Sequence, residues 1–325
     1  WATLPGKKGG DIYHPIPRDR DQAFFVNEGK LSKMWSRKWV LPKFEGFDEE
    51  IDWPSGLSFN ARYFDRSFLT EPSLDQWIAA AKKLQKDLTD EVIEKAIRQW
   101  PEAIFKLHGE RIIKHLKARR DALDVYAVSH YEFLAREVNV VGSDKRERFE
   151  VKRQKDGDTE VEVFKITKEG EKGRKLYDRV FKASETKEVR LYGLRGDDDF
   201  IVTGASADAI KVRVIGGDGH DRLFDSARTE GSSRKVIFYD QKGQGQYVSQ
   251  HGLVKDRTSE DASVNEYDRK AFQYNRLAPL IFANFNPDDG PFVGGGFVSI
   301  SHGFRKKPFK QRHLFLASVA PVTLS

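Results

Sequence analysis

Cysteine is absent from the 325 residues, which excludes disulfides, thiolate metal sites and a cysteine nucleophile. The same absence fits an oxidising compartment. No uninterrupted apolar run reaches the length of about 18 residues that a membrane-crossing helix needs, so none is expected. A G-x-S-x-G elbow is also missing, which argues against a Ser-His-Asp hydrolase. Nor is charge of one sign concentrated. The chain has 56 Lys and Arg against 50 Asp and Glu, a net charge of +6, and its basic residues are spread along the sequence. A surface that tracks phosphates needs clustered Lys and Arg with aromatic partners, so nucleic acid is not an expected partner.

Hydrophobic residues make up 38% and charged residues 33%, enough core for one large or two ordinary domains beneath a well-solvated surface. The chain starts at Trp1 and stops at Ser325 within an apolar alternation, which reads as a piece of a longer protein.

Residues 1–70 form an extended, aromatic-rich segment. Within it, Ile16-Pro17-Arg18-Asp19-Arg20-Asp21 is held extended by its prolines, with Asp19 and Asp21 on one side of a strand. Two readings are open for this pair: ligands for Mg²⁺ beside a nucleotide, or a solvated ladder of ion pairs. Residues 71–138 read as a helical block. Ser73 and Thr89 are start signals, Pro101 is a stop, and a third, long helix is expected from about Gly109 to about Val138. His115 and His130 on that helix read as core or surface histidines, too far apart to share a metal.

From residue 139 the apolar period switches to two, and short strands with Gly/Asp turns follow to about residue 240. Val189-Arg-Leu-Tyr-Gly-Leu-Arg-Gly-Asp-Asp-Asp-Phe200 lines up with Val212-Arg-Val-Ile-Gly-Gly-Asp-Gly-His-Asp-Arg-Leu223, an offset of 23 residues. Val236 begins a third, degenerate copy. A unit this short must be covered by a stacked neighbour, so a solenoid-like region is expected. Gly-Gly-Asp218-Gly-His-Asp221-Arg-Leu-Phe matches the calcium nonapeptide G-G-x-G-x-D-x-U-x at every fixed position. The earlier copy, with Asp198 at the acidic position, lacks only the second glycine. Either Ca²⁺ is held by Asp198 and Asp221 with Asp218 and its neighbours Asp197 and Asp199, or the carboxylates only accept turn amides. Residues 241–270 read as a linker, and 271–325 as three strands of about ten residues, a length suited to a tilted membrane strand. The fold class expected is α+β, with helices in 72–138 and strands after 139.

The segments RLYGLRGDDDF, VRVIGGDGHD, NPDDGPFVGGGF and GFRKKPFKQRH resemble parts of large Gram-negative envelope proteins. In these a calcineurin-like metallophosphoesterase precedes an intermediate region and a surface-antigen type outer-membrane barrel similar to BamA and TamA. The resemblance implies that this chain is the intermediate region plus the first barrel strands. It implies a place in the periplasm and outer membrane, with membrane lipid and other envelope proteins as partners. None of the phosphoesterase's Asp/His metal ligands is present to carry over. IPRDRDQAFF is similar to the magnesium-aspartate segment of atypical kinases of the CotH and HipA kind, which implies Asp21 as a metal ligand and Asp19 as its helper. The expected function is therefore a non-catalytic structural module ahead of a barrel, with a fragment of a metal-dependent phosphotransferase as the alternative.

Overall fold

The computed structural model describes residues 2–5, 11–14, 23–27, 29, 33, 36–37, 42–230, 235–287 and 290–320. The fold is mixed α and β: a helical block, then a β-rich region, then an antiparallel three-stranded sheet. Near the start, β1 (Ala2–Pro5) and β2 (Asp11–His14) pair antiparallel.

The helices are α1 (Pro54–Leu57), α2 (Arg62–Phe68), α3 (Leu74–Asp87), α4 (Asp90–Ile97), α5 (Glu102–Ile104), α6 (Glu110–Asp121) and α7 (Leu123–Ala135). Ser73 opens α3 with a full capping box. Its Oγ accepts from the Gln76 amide, and Gln76 Oε1 accepts from the Ser73 amide, satisfying two orphan donors at once. Thr89 caps α4 singly, its Oγ1 accepting from the Val92 amide. The expected single helix from 109 to 138 is two helices. Ala122 leaves helical geometry at ψ 6°, and the amide of Gln85 reaches in from α3 to donate to the freed carbonyls of Arg120 and Asp121. The second half ends at Ala135, and a strand starts two residues later. The block closes over Ile93, Ile97, Ile112 and Ile113, with Phe24, Phe47 and Trp100 against them.

The β region consists of β3 (Glu137–Val141), β4 (Glu147–Arg153), β5 (Thr159–Ile166), β6 (Lys172–Phe181), β7 (Glu188–Arg195), β8 (Asp199–Ser206), β9 (Lys211–Asp218), β10 (Arg222–Asp225), β11 (Arg228–Thr229), β12 (Val236–Tyr239), β13 (Gln246–Ser249) and β14 (Val254–Asp256). One sheet runs β14-β12-β9-β7-β3, parallel throughout. The facing sheet runs β13-β10-β8-β4 in parallel and continues antiparallel into β5 and β6. Apart from β5 and β6, which extend β4's sheet, and β11, which like β10 pairs β8, consecutive strands alternate between the sheets, so like residues stack. Val138, Val189, Val212, Val236 and Val254 form one column, and Phe149, Phe200 and Leu223 form another across the core. Residues 241–270, expected as a linker, carry β13 and β14 as the last strands of the two sheets.

The chain ends in β15 (Arg276–Asn286), β16 (Gly290–Ser301) and β17 (Gln311–Val319), an antiparallel meander. Its β16–β17 turn is rooted on the β region. Phe304 lies edge-on to Tyr239 at 5.2 Å with the Arg213 guanidinium 4.6 Å from its ring centre, and Arg305 donates to the Glu266 carbonyl.

Candidate functional site

Parallel pairing places turn above turn at one end of the two facing sheets. Val141 lies beside Tyr192, Tyr192 beside Ile215, and Ile215 beside Tyr239. The next residues therefore stack as Gly142, Gly193, Gly216 and Asp240. Across each turn, Arg148 lies beside Asp199, Asp199 beside Arg222, and Arg222 beside Gln246. The residues just before them stack as Glu147, Asp198, Asp221 and Gly245. Every turn thus has one acid and one glycine across from it, and the last turn carries them in the reverse order.

The glycines are required by the acids. A Cβ at Gly193 would run into Asp198 Oδ2, one at Gly245 into Asp240 Oδ2, and one at Gly216 into the Oδ2 atoms of both Asp221 and Asp240. These side chains lie across the inside of the turns, with Asp198 at 0%, Asp221 at 1% and Asp240 at 0% exposure. One oxygen of each is well used. Asp198 Oδ1 accepts from the Glu147 amide at 2.7 Å, and Asp221 Oδ1 from the Asp198 amide at 2.8 Å. Each acid thereby fastens its turn to the preceding one. Asp240 Oδ1 accepts from the Gln241 amide at 2.7 Å and from Asn265 Nδ2 at 2.9 Å. The Oδ2 atoms of all three are buried and unpartnered.

Burial disfavours the charged form of these carboxyls. It pushes Asp198 up to about 9 against the pull of the Glu147 amide, with the Asp221 charge adding to the rise. It likewise pushes Asp221 up to about 7 despite the Asp198 amide, and Asp240 raises it further. Asp240 itself is raised by burial, opposed by the Asn265 hydrogen bond.

Of the residues singled out from sequence, Asp198 and Asp221 meet in this column. Asp218 does not join it: its side chain is 78% exposed and lies 3.8 Å from Arg195. Asp197 accepts from the His220 amide, and Asp199 is held by Arg146, Arg148 and Arg222. Asp19 and Asp21 lie outside the described residues. Sequence reasoning missed Glu147 and Asp240. The register of the Val236 strand, 24 residues after Val212, was the signal that could have placed Asp240 in the stack.

Three other places carry candidate chemistry. Glu160, Glu162 and Asp178 lie close enough to share an ion, but the Lys175 ammonium already bridges Glu162 and Asp178. His130 lies 3.2 Å from Ser55 Oγ through Nδ1 and 3.1 Å from Asp65 Oδ2 through Nε2. Ser55 is only 1% exposed, so this Ser-His-Asp chain is turned inward and ties α1, α2 and α7 together. A cleft of about 770 Å³ opens between the helical block and the residues 302–307. Two of its buried cations are engaged: Arg190 by Glu188 and Glu137, and Arg66 by the face of Phe272 and by two carbonyls.

No family model, curated protein or solved structure matches the chain.

Proposed function

We propose that this chain is a non-catalytic structural module of a Gram-negative cell envelope, a short β-solenoid capped by helices that leads into the first strands of an outer-membrane barrel. The solenoid reading is supported by the parallel registers, which repeat one strand-turn-strand unit between β3 and β14 around the antiparallel insertion of β5 and β6. The observation that carries the membrane reading is the outer face of the last sheet. On β15 this face reads Leu277, Pro279, Ile281, Ala283, Phe285. Beside them on β16 are Ser299, Phe297, Gly295, Val293 and Pro291, and on β17 His313, Phe315, Ala317 and Val319. Apart from Ser299 and His313 at one end, no polar side chain interrupts the band, and Ile281 is 93% exposed.

Water tolerates a contiguous apolar band of this kind poorly, and strands of 11, 12 and 9 residues suit a tilted crossing of a bilayer. The polar end of the band leads into the turn with Arg305, Lys306, Lys307 and Lys310, where basic side chains could meet lipid phosphates. In this reading the β region lies in the periplasm and the partners are membrane lipid and neighbouring envelope proteins. Flotation of the full chain with vesicles of phosphatidylethanolamine and phosphatidylglycerol tests it. Ile281→Arg, which would cost about 2–4 kcal/mol at the middle of a bilayer, should reduce the floating fraction. If wild-type protein stays with the soluble fraction, or if Ile281→Arg floats equally well, the sheet is not a membrane element.

A further inference from the structure

Five buried side-chain oxygens in the carboxyl column and against its last turns lack a hydrogen-bond partner: Asp198 Oδ2, Asp221 Oδ2, Asp240 Oδ2, Gln244 Oε1 and Asn265 Oδ1. Every one is an acceptor. The amide orientation of Asn265 is fixed by its neighbours, because Nδ2 donates to both Gly217 O and Asp240 Oδ1. A buried unpaired acceptor is costly, and an unpaired carboxylate more so. A proton can relieve a carboxyl, yet it does nothing for an amide oxygen. A cation relieves several oxygens of both kinds together.

The register reversal picks the place. In the first three turns the acids stand one above another on the same side. Asp240 comes from the opposite side, so its Oδ2 and that of Asp221 converge on the single bare glycine, Gly216. Gln244 immediately precedes Gly245 in the last turn, and Asn265 donates to Asp240 from outside it, so both side chains lie beside the acid of that turn.

We propose that the gap between the last two turns, where Asp221 and Asp240 meet over Gly216, is a Ca²⁺ site, with the two carboxylates as its anionic ligands and the amide oxygens of Gln244 and Asn265 completing the protein's share. Two carboxylates match the charge of a divalent ion. An all-oxygen set of mixed carboxylates and amides at irregular positions suits Ca²⁺, which accepts six to eight oxygens in flexible geometry, better than Mg²⁺, which demands a near-ideal octahedron. Asp198 Oδ2 lies one turn further along the column. The site differs from the nonapeptide expectation in its ligands: Asp240 takes the place of Asp198 as the partner of Asp221, Asp218 does not take part, and the ion lies within the stack.

The test uses the full chain stripped with chelator, its melting followed with Ca²⁺ or Mg²⁺ at concentrations of order 10⁻³ M, the range of extracellular Ca²⁺ modules. Ca²⁺ is expected to raise the midpoint by several degrees and Mg²⁺ by much less. Asp221→Asn and Asp240→Asn should each abolish the rise, while Asp218→Asn, in the same turn but exposed, should keep it. Titration calorimetry on the wild-type chain provides a readout that no variant's folding affects, and it should show saturable Ca²⁺ binding. Equal melting in Ca²⁺ and chelator with no binding heat would overturn the proposal, as would an undiminished shift in Asp240→Asn. A wild type blind to Ca²⁺ together with an Asp221→Asn variant that melts higher at alkaline pH would assign the column to protons instead.

Discussion

Glu188, at the start of β7, should make the fold sensitive to acid in a way that can be isolated. It is buried, and Arg190 Nε donates to its Oε1 at 2.6 Å while Arg213 Nη2 donates to Oε2 at 3.0 Å. Burial alone would push its carboxyl up. The two guanidiniums outweigh burial and hold it down at about 2, against 4.5 for the ordinary group. A folded-state value below the unfolded one means stability that is fully present above about pH 4.5 and lost as pH falls toward about 2. At about 1.4 kcal/mol for each pH unit, the difference amounts to roughly 3 kcal/mol. Urea midpoints of wild type and Glu188→Gln, measured at steps from pH 7 to pH 3, subtract every other titrating group. Glutamine should be strongly destabilised near neutrality, because it leaves Arg213 buried without its counter-charge. The gap between the two proteins should then narrow as pH drops below about 4.5. A gap that stays constant from pH 7 to 3 would mean that Glu188 is not ionised through this pair.

Gly216→Ala should lower the urea midpoint by the equivalent of about 1–3 kcal/mol, since its Cβ would sit 2.5 Å from Asp221 Oδ2 and closer still to Asp240 Oδ2; an unchanged midpoint would mean that the turns are looser than described. Phe238→Ala, at a fully buried position in the β core, should cost about 3–5 kcal/mol. Val248→Ala on the exposed side of β13 should stay within about 0.5 kcal/mol in the same denaturation assay.

Local physics was legible in the sequence, and distant contacts were not. Ser73 with Gln76 is a capping box that four residues define completely, and the structure forms it. The switch from helical to alternating period at about residue 139 falls where α7 gives way to β3. The long third helix was misread because Leu116 and Leu123, seven residues apart, keep to one helical face on either side of Ala122. The break there is answered by Gln85, more than thirty residues earlier. The Ser55, Asp65 and His130 chain was invisible for the same reason, its hydrogen bonds joining residues 65 and 75 apart in sequence. Half of the carboxyl column was readable from the glycine-acid repeat. The other half escaped because a motif fixes residue types at positions, whereas the turn needs only one carboxyl and one side-chain-free position across from it. Glu147 facing Gly142 and Asp240 facing Gly245 meet that need in forms the motif does not contain.

The column and the last sheet are mechanically joined. Asn265 bonds to Asp240 and to the carbonyl of Gly217, Tyr267 packs on Tyr192 at 4.7 Å, and Arg305 of the β16–β17 turn donates to Glu266. All three contacts fall within the short stretch, 265–267, that approaches β15. An ion held between Asp221 and Asp240 would therefore also hold the root of the sheet, because Asn265 is shared between them. Residues 265–267 would fix the angle at which the antiparallel strands leave the stacked ones. If the sheet is seated in a membrane, that angle sets how the stack stands against the bilayer. The acid at position 240, reversed with respect to the turns before it, then has two consequences from one substitution of order: it closes the stack, and it presents a carboxylate to the segment from which the sheet departs.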